Sequence, residues 1–108
     1  MSDPVQTLSA GEALDRVRAG TLVLVDVRPP GERALAAVPV PYESLESGGL
    51  ERLMARPRDQ ALAFLCHHGV RSEQAARYFL AQGFREVHNV VGGIEAWACE
   101  VDPTIPRY

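Results

Sequence analysis

The sequence contains no lysine: all 11 of its basic residues are arginine, spread from Arg16 to Arg107 among 14 carboxylates. With a formal net charge of −3 and no stripe of one sign, it offers a phosphate backbone nothing to track. Nucleic acid is therefore not an expected partner. Long apolar runs are missing too, the longest being residues 22–25 and 61–66, far short of the ~18 residues of a membrane span. No membrane partner is expected. Met1, Ser2, Asp3 and Pro4 show neither the basic start nor the apolar stretch of a secretory signal, so the expected location is the cytoplasm.

Cysteine is scarce as well. Cys66 and Cys99 are the only two, too few and too far apart for a disulfide framework, and a reducing compartment suits them. The 9 glycines and 8 prolines are scattered, so no linker or low-complexity segment appears, and no repeat of ~20–50 residues is visible. A chain of 108 residues with 46% hydrophobic content reads as one domain, residues 1–108. At that size it buries somewhat over ~60% of its unfolded surface and needs no disulfide or metal to fold.

What is present alternates between two periodicities. Ser9 to Glu12 reads as a capping box opening a helix, with Ala10, Leu14 and Val17 at helical spacing, Leu8 placed to staple against Ala13, and Gly20 as the stop. Residues 21–27 then form a run with one charge near its end, the signature of a strand buried on both faces. Pro29 and Pro30 end it, residues 32–37 make a short helix, and the prolines at 39 and 41 exclude a central strand there. Leu50, Leu53 and Met54 mark another short helix, residues 61–66 a second strand, and 72–82 a longer helix stopped by Gly83. Residues 87–91 form a third strand and 94–98 a last helix, and the tail with Pro103 and Pro106 is expected to lie extended over the surface. Strands alternating with helices imply a parallel sheet, whose ligands bind beyond the strands' carboxyl ends, just after Val27, Leu65 and Val91.

Cys66 stands at one of those ends. It opens the segment Cys66-His67-His68-Gly69-Val70-Arg71-Ser72: a cysteine leaving a strand, a short loop with one glycine, and an arginine opening a helix. Backbone N–H groups of such a loop form a nest, the helix N-terminus adds roughly half a positive charge, and Arg71 adds a full one. All three favour thiolate over thiol and draw the pKa below the free value of ~8.5. The same cradle would hold the negative charge of a terminal sulfur or an attached oxyanion. The segment therefore points to covalent chemistry on sulfur, arsenic or phosphorus.

These residues resemble the rhodanese family of sulfurtransferases, and the resemblance covers most of the chain. Val25-Asp26-Val27-Arg28 with Glu32 looks like the family's Asp-Val-Arg motif and following glutamate; Cys66 to Arg71 looks like its active-site loop; and Gly92-Gly93-Ile94 with Ala96-Trp97 resembles its C-terminal signature. The resemblance implies an α/β fold, doubly wound, with a mostly parallel five-stranded sheet flanked by helices. It implies a thiosulfate sulfurtransferase, without metal or cofactor, in which Cys66 accepts a sulfur atom from thiosulfate or a persulfide donor, becomes a persulfide, and passes the sulfur to cyanide, a thiol or a sulfur-carrier protein. Cys66 and Arg71 are then the catalytic pair, and His67, His68, Gly69, Val70, Arg71 and Ser72 the substrate cradle. Arg28 and Glu32 become a structural ion pair beside the site.

Two alternatives remain at this level. Relatives that hydrolyse phosphate esters or reduce arsenate carry one more residue between cysteine and arginine, whereas here only His67, His68, Gly69 and Val70 intervene, a ring that suits a sulfur atom better than a tetrahedral oxyanion. A non-catalytic binding module would keep the loop without turnover. Between Glu32 and Leu45 the chain also departs from the family pattern: it is shorter and lacks the usual His-Ile-Pro-Gly-Ala run, which bears on pocket shape and acceptor choice.

Other chemistry-bearing residues receive plainer readings. Adjacent His67 and His68 do not easily converge on one ion, and no Cys-x-x-Cys or spaced histidine partner exists, so no metal site is expected. Asp26 is expected to fix neighbouring loops by accepting their N–H groups, His88 to be structural, and Trp97 and Tyr78 to be packing residues. Cys99 lacks a loop of its own and reads as a structural or incidental thiol.

Overall fold

The computed structural model describes residues 5–108, so the reading of residues 1–4 lies outside the described residues. Its elements run β1 (Gln6–Leu8), α1 (Ala10–Arg18), β2 (Val23–Asp26), α2 (Pro30–Leu35), α3 (Gly49–Met54), β3 (Leu62–Leu65), α4 (Val70–Ala81), β4 (Val87–Val90) and α5 (Gly93–Glu100).

The first helix forms as its sequence dictates. Ser9 Oγ accepts from the Glu12 N–H at 3.1 Å and Glu12 Oε1 accepts from the Ser9 N–H at 2.9 Å, satisfying two donors that the helix itself leaves open. At the other end Gly20, with φ +75°, turns the chain so that Gly20 N–H reaches Val17 O and Thr21 N–H reaches Arg16 O, both at 3.0 Å. That paired closure takes up carbonyls the last turn would otherwise leave free.

All strand pairs are parallel, in the order β1-β4-β3-β2. Alternation along the strands sends side chains to two separate cores. Leu24, Ala63, Leu65 and Val90 pack with Ala10 and Ala13 of α1 and with Ile94 and Trp97 of α5. Val25, Leu62, Phe64 and Val87 pack with Leu53 of α3 and with Ala76 and Phe79 of α4. The sheet is thus covered on both faces, and each large apolar side chain so buried contributes about 1.5–3 kcal/mol.

The sheet has four strands among the described residues, not five. The stretch that would supply the fifth is reduced to one bridge: Glu43 N–H donates to Leu24 O and Asp26 N–H donates to Glu43 O, each at 2.8 Å. Pro39 and Pro41, just upstream, have no N–H with which to extend the ladder. Conversely, β1 had no signal in the sequence, because it is three residues long and only Leu8 of the three is buried.

Helix α4 begins at Val70 rather than Ser72, since Gly69 at φ +102° lets the loop pass directly into it. The last segment does not simply lie over the surface: Ile105 is buried in the same core as Trp97 and Ala98, and draws the residues beyond it back toward the sheet.

Candidate active site

Cys66 follows β3 directly and is 1% exposed. Its Sγ accepts from the Gly69 N–H at 3.1 Å and lies 3.3 Å from Ser72 Oγ. Burial pushes the thiol up, but the Ser72 hydroxyl and the backbone N–H groups of Ser72, Gly69 and Arg71 together outweigh it, holding the thiol below the ordinary cysteine range. The amino end of the 12-residue helix α4 faces the same point and adds its partial positive charge.

The N–H groups can turn inward because the carbonyls are engaged elsewhere. Cys66 O accepts from Ile94 N–H at 2.8 Å and His67 O from Glu95 N–H at 3.2 Å, so the first turn of α5 holds the loop by its outer side. Gly93 is what permits that approach: a Cβ there would stand 2.2 Å from Cys66 O and 2.6 Å from His67 O. The Gly-Gly-Ile signature is therefore a packing requirement of the loop.

Asn89 completes the support, and the sequence reading missed it. Its Nδ2 donates to Gly69 O at 2.9 Å, and its Oδ1 lies 2.5 Å from Ser72 Oγ. The single Ser72 proton can serve Asn89 or the sulfur, so Asn89 ties the glycine turn to the residue beside the thiol. A second polar residue after His88, near the carboxyl end of a strand flanked by valines, was the available signal.

The charged residues are paired differently from expectation. Arg28 does not pair with the Glu32 carboxylate. Its guanidinium meets Asp26 through Nη2–Oδ2 at 2.7 Å and Nε–Oδ1 at 3.0 Å, both side chains fully buried, and reaches only the backbone carbonyl of Glu32, at 3.5 Å. Two residues apart in extended chain, Asp26 and Arg28 project to the same side, which brings them together. Asp26 also accepts the Arg28 N–H at 3.0 Å, the loop-fixing role expected of it.

The Glu32 carboxylate instead binds Arg71, Oε1 to Nη2 and Oε2 to Nη1, both at 2.8 Å. Arg71 holds the Glu32 carboxyl at a pKa of about 2; burial acts against this, and the Tyr108 hydroxyl adds to it. Arg71 thus brings no uncompensated charge to the cysteine; what it turns to Sγ is its backbone N–H.

Tyr108 is a second residue that the sequence did not point to. Its ring stacks on His67 at 4.0 Å, and His67 stacks in turn on His68 at 3.9 Å. His67, His68 and Glu95 each offer a metal-type ligand atom within 4.8 Å of the others, a grouping not visible in sequence because Glu95 comes from α5. The Glu95 carboxylate is already engaged by Arg107, whose Nε lies 2.7 Å away. Val70, at 72% exposure, projects into solvent from the first position of α4.

Trp97 is fully buried, as expected of a packing residue, whereas Tyr78 is half exposed and only edges Phe79. His88 is buried with Nε2 2.7 Å from Glu86 Oε2. Cys99 is exposed on α5, and both thiols are free. No helix among the described residues is long and apolar enough to cross a membrane.

A family model described as rhodanese-like domain matches residues 9–100. The chain is 38% identical over 74 residues to thiosulfate sulfurtransferase GlpE of Vibrio cholerae, a match covering 68% of this chain and 70% of that protein. It is 35% identical over 89 residues to the chloroplastic rhodanese-like/PpiC domain-containing protein 12 of Arabidopsis thaliana, covering 79% of this chain and 30% of the plant protein. The chain therefore spans under a third of that relative's length. Among solved structures, the polysulfide-sulfur transferase homodimer of Wolinella succinogenes superimposes with a TM-score of 0.74 at 25% identity, over 89% of this chain and 74% of that one.

Proposed function

The chain belongs to the rhodanese-like domain family, and from that premise we propose that it is a sulfurtransferase working through a persulfide on Cys66. The observation that carries the reading is a buried thiol held below its ordinary pKa by the Ser72 hydroxyl and by N–H groups of its own loop. A thiolate so held is both nucleophilic and able to carry a further sulfur whose negative charge meets the same donors.

With thiosulfate as donor, the Cys66 thiolate attacks the outer sulfur. A new S–S bond forms, the bond to the sulfonate sulfur breaks, and sulfite leaves with that electron pair. The Cys66 persulfide then carries one negative charge on its terminal sulfur, facing the N–H groups and the amino end of α4. A nucleophilic acceptor, a thiolate or cyanide, attacks the terminal sulfur and restores the Cys66 thiolate as the leaving group. Proton transfer is not required if donor, enzyme and acceptor all enter as anions. In the cell the acceptor is a thiol or a sulfur-carrier protein in the cytoplasm.

In this scheme Ser72, Gly69 and Arg71 stabilise the charged sulfur, while His67, His68 and Val70 complete the loop and its rim. Asp26 and Arg28 hold the neighbouring loop. Four residues between Cys66 and Arg71 make a ring that favours a single sulfur over the tetrahedral oxyanion of a phosphatase or arsenate reductase.

Intact-protein mass after incubation with thiosulfate tests the reading, in wild type and Cys66→Ala, followed by cyanide and thiocyanate detection. One added sulfur, present only with Cys66 and removed by cyanide, is expected. No added sulfur and no thiocyanate would overturn the thiosulfate reading. Turnover of arsenate or an aryl phosphate would move the assignment to the oxyanion chemistry.

A further inference from the structure

The side chains around Cys66 converge on one residue that sulfur transfer, as described, does not use. The Tyr108 hydroxyl donates to Glu32 Oε1 at 2.8 Å and accepts from Arg28 Nη1 at 3.1 Å, while its ring lies 4.0 Å from that of His67 with 17° between the planes. The segment bearing it is anchored twice, by Ile105 in the core and by Arg107 on Glu95. The ring therefore has a fixed place beside the loop.

Its importance follows from the charges. Asp26 and Arg28 cancel one another in a fully buried pair, and Glu32 and Arg71 cancel in a second pair. What attracts an anion to Cys66 is then the set of N–H groups and the amino end of α4, a field that a single misplaced carboxylate can offset. Glu32, with its side chain 26% exposed, is the carboxylate of the two with room to move; Asp26 has none. It stays ionised throughout the neutral range, its pKa being about 2. Oε1 takes the Tyr108 hydroxyl as well as Arg71 Nη2, so the tyrosine fixes the orientation in which both oxygens face the guanidinium.

We propose that Tyr108 is a positioning residue for the Cys66 site: through its hydroxyl it holds Glu32 against Arg71 and so keeps the approach to the thiolate open to anions. Where the anion is thiosulfate this rests on the sulfur-transfer reading; the electrostatic effect on Cys66 does not.

The test compares alkylation of Cys66 by iodoacetate, an anion, and by iodoacetamide, its neutral near-isostere, with peptide mapping to separate Cys66 from the exposed Cys99. The ratio of the two rates cancels any change in thiolate fraction. At low salt Tyr108→Phe, which keeps the ring, lowers the ratio about two- to fivefold, and salt removes the difference. Glu32→Gln raises the ratio, and adding Tyr108→Phe to it has no further effect. Tyr108→Leu, lacking both ring and hydroxyl, shows at least the fall seen with phenylalanine. An unchanged ratio in Tyr108→Phe, or an equal fall in the Glu32→Gln background, overturns the proposal. With thiosulfate, KM rises by the same factor while kcat stays within about twofold. If wild type accepts no sulfur from thiosulfate, the donor reading fails and the alkylation ratio still decides the role of Tyr108.

Discussion

Glu32 and Arg71 stand 39 residues apart in the sequence and meet at the edge of the cysteine loop through two parallel hydrogen bonds of 2.8 Å. The planar fork of a guanidinium matches a carboxylate in this way, whereas a lysine ammonium acts as a point charge without two parallel donors. Because the Arg71 side chain is 46% exposed, solvent screens the pair, and its use lies in placing charge more than in stabilising the fold.

The first prediction concerns that carboxylate. Its native pKa of about 2 lies below the ordinary 4.5, so the pairing stabilises the native state above the ordinary value and is lost as pH falls through the native one. In Arg71→Ala the Glu32 carboxyl should titrate close to the ordinary value, as followed by NMR of the side-chain carboxyl. Retention of the low pKa would mean that other neighbours, not Arg71, hold the charge.

Ser72→Ala removes the donor nearest in effect to Cys66 while leaving the backbone N–H groups in place. The thiol pKa should rise, and alkylation of Cys66 by iodoacetamide near neutral pH should slow about three- to tenfold. The pH–rate midpoint moves upward in the same variant. Since the thiol is depressed in the native state, its contribution to stability is complete above the unfolded pKa and fades as pH falls through the native one; Ser72→Ala should flatten that dependence.

Gly93→Ala places a methyl group 2.2 Å from Cys66 O, at a backbone φ of +58°. Backbone cannot yield as a flexible side-chain tip can, so the loop must shift. A loss of about 2–4 kcal/mol in urea unfolding is expected, with reduced reactivity of Cys66 in whatever remains folded. Wild-type stability in this variant would show that the loop and α5 are not held together as described.

Arg28→Met leaves Asp26 fully buried with its guanidinium partner gone, which should cost about 3–5 kcal/mol. Pairing that change with Asp26→Leu removes the stranded charge, and much of the loss should return. Denaturant midpoints of the two variants measure the difference; equal losses would place the effect in the hydrogen bonds from Arg28 to Ala36 O and Tyr108.

The legible parts of this protein are those in which neighbours in sequence are neighbours in space. The capping box at Ser9 and the glycine stop at Gly20 are local arrangements, and each forms as read, whereas the cysteine loop passes into its helix at Val70, two residues before the start read at Ser72. The Arg28 pairing could have been read from the two-residue period of extended chain, but the family pattern drew the expectation toward Glu32. The fifth strand failed on local chemistry, because prolines at 39 and 41 remove the donors that a ladder needs.

From its sequence alone this chain is an alternating α/β domain with a reactive-type cysteine at the carboxyl end of a buried strand, because periodicity, caps and a six-residue loop are properties of contiguous residues. Only the tertiary structure decides that Arg71 spends its charge on Glu32, that Asn89 joins Gly69 to Ser72, and that Tyr108 reaches back to the loop. Those partners are separated by 17 to 76 positions, and which side chains meet across such distances is set by how the strands align and how the helices cover them.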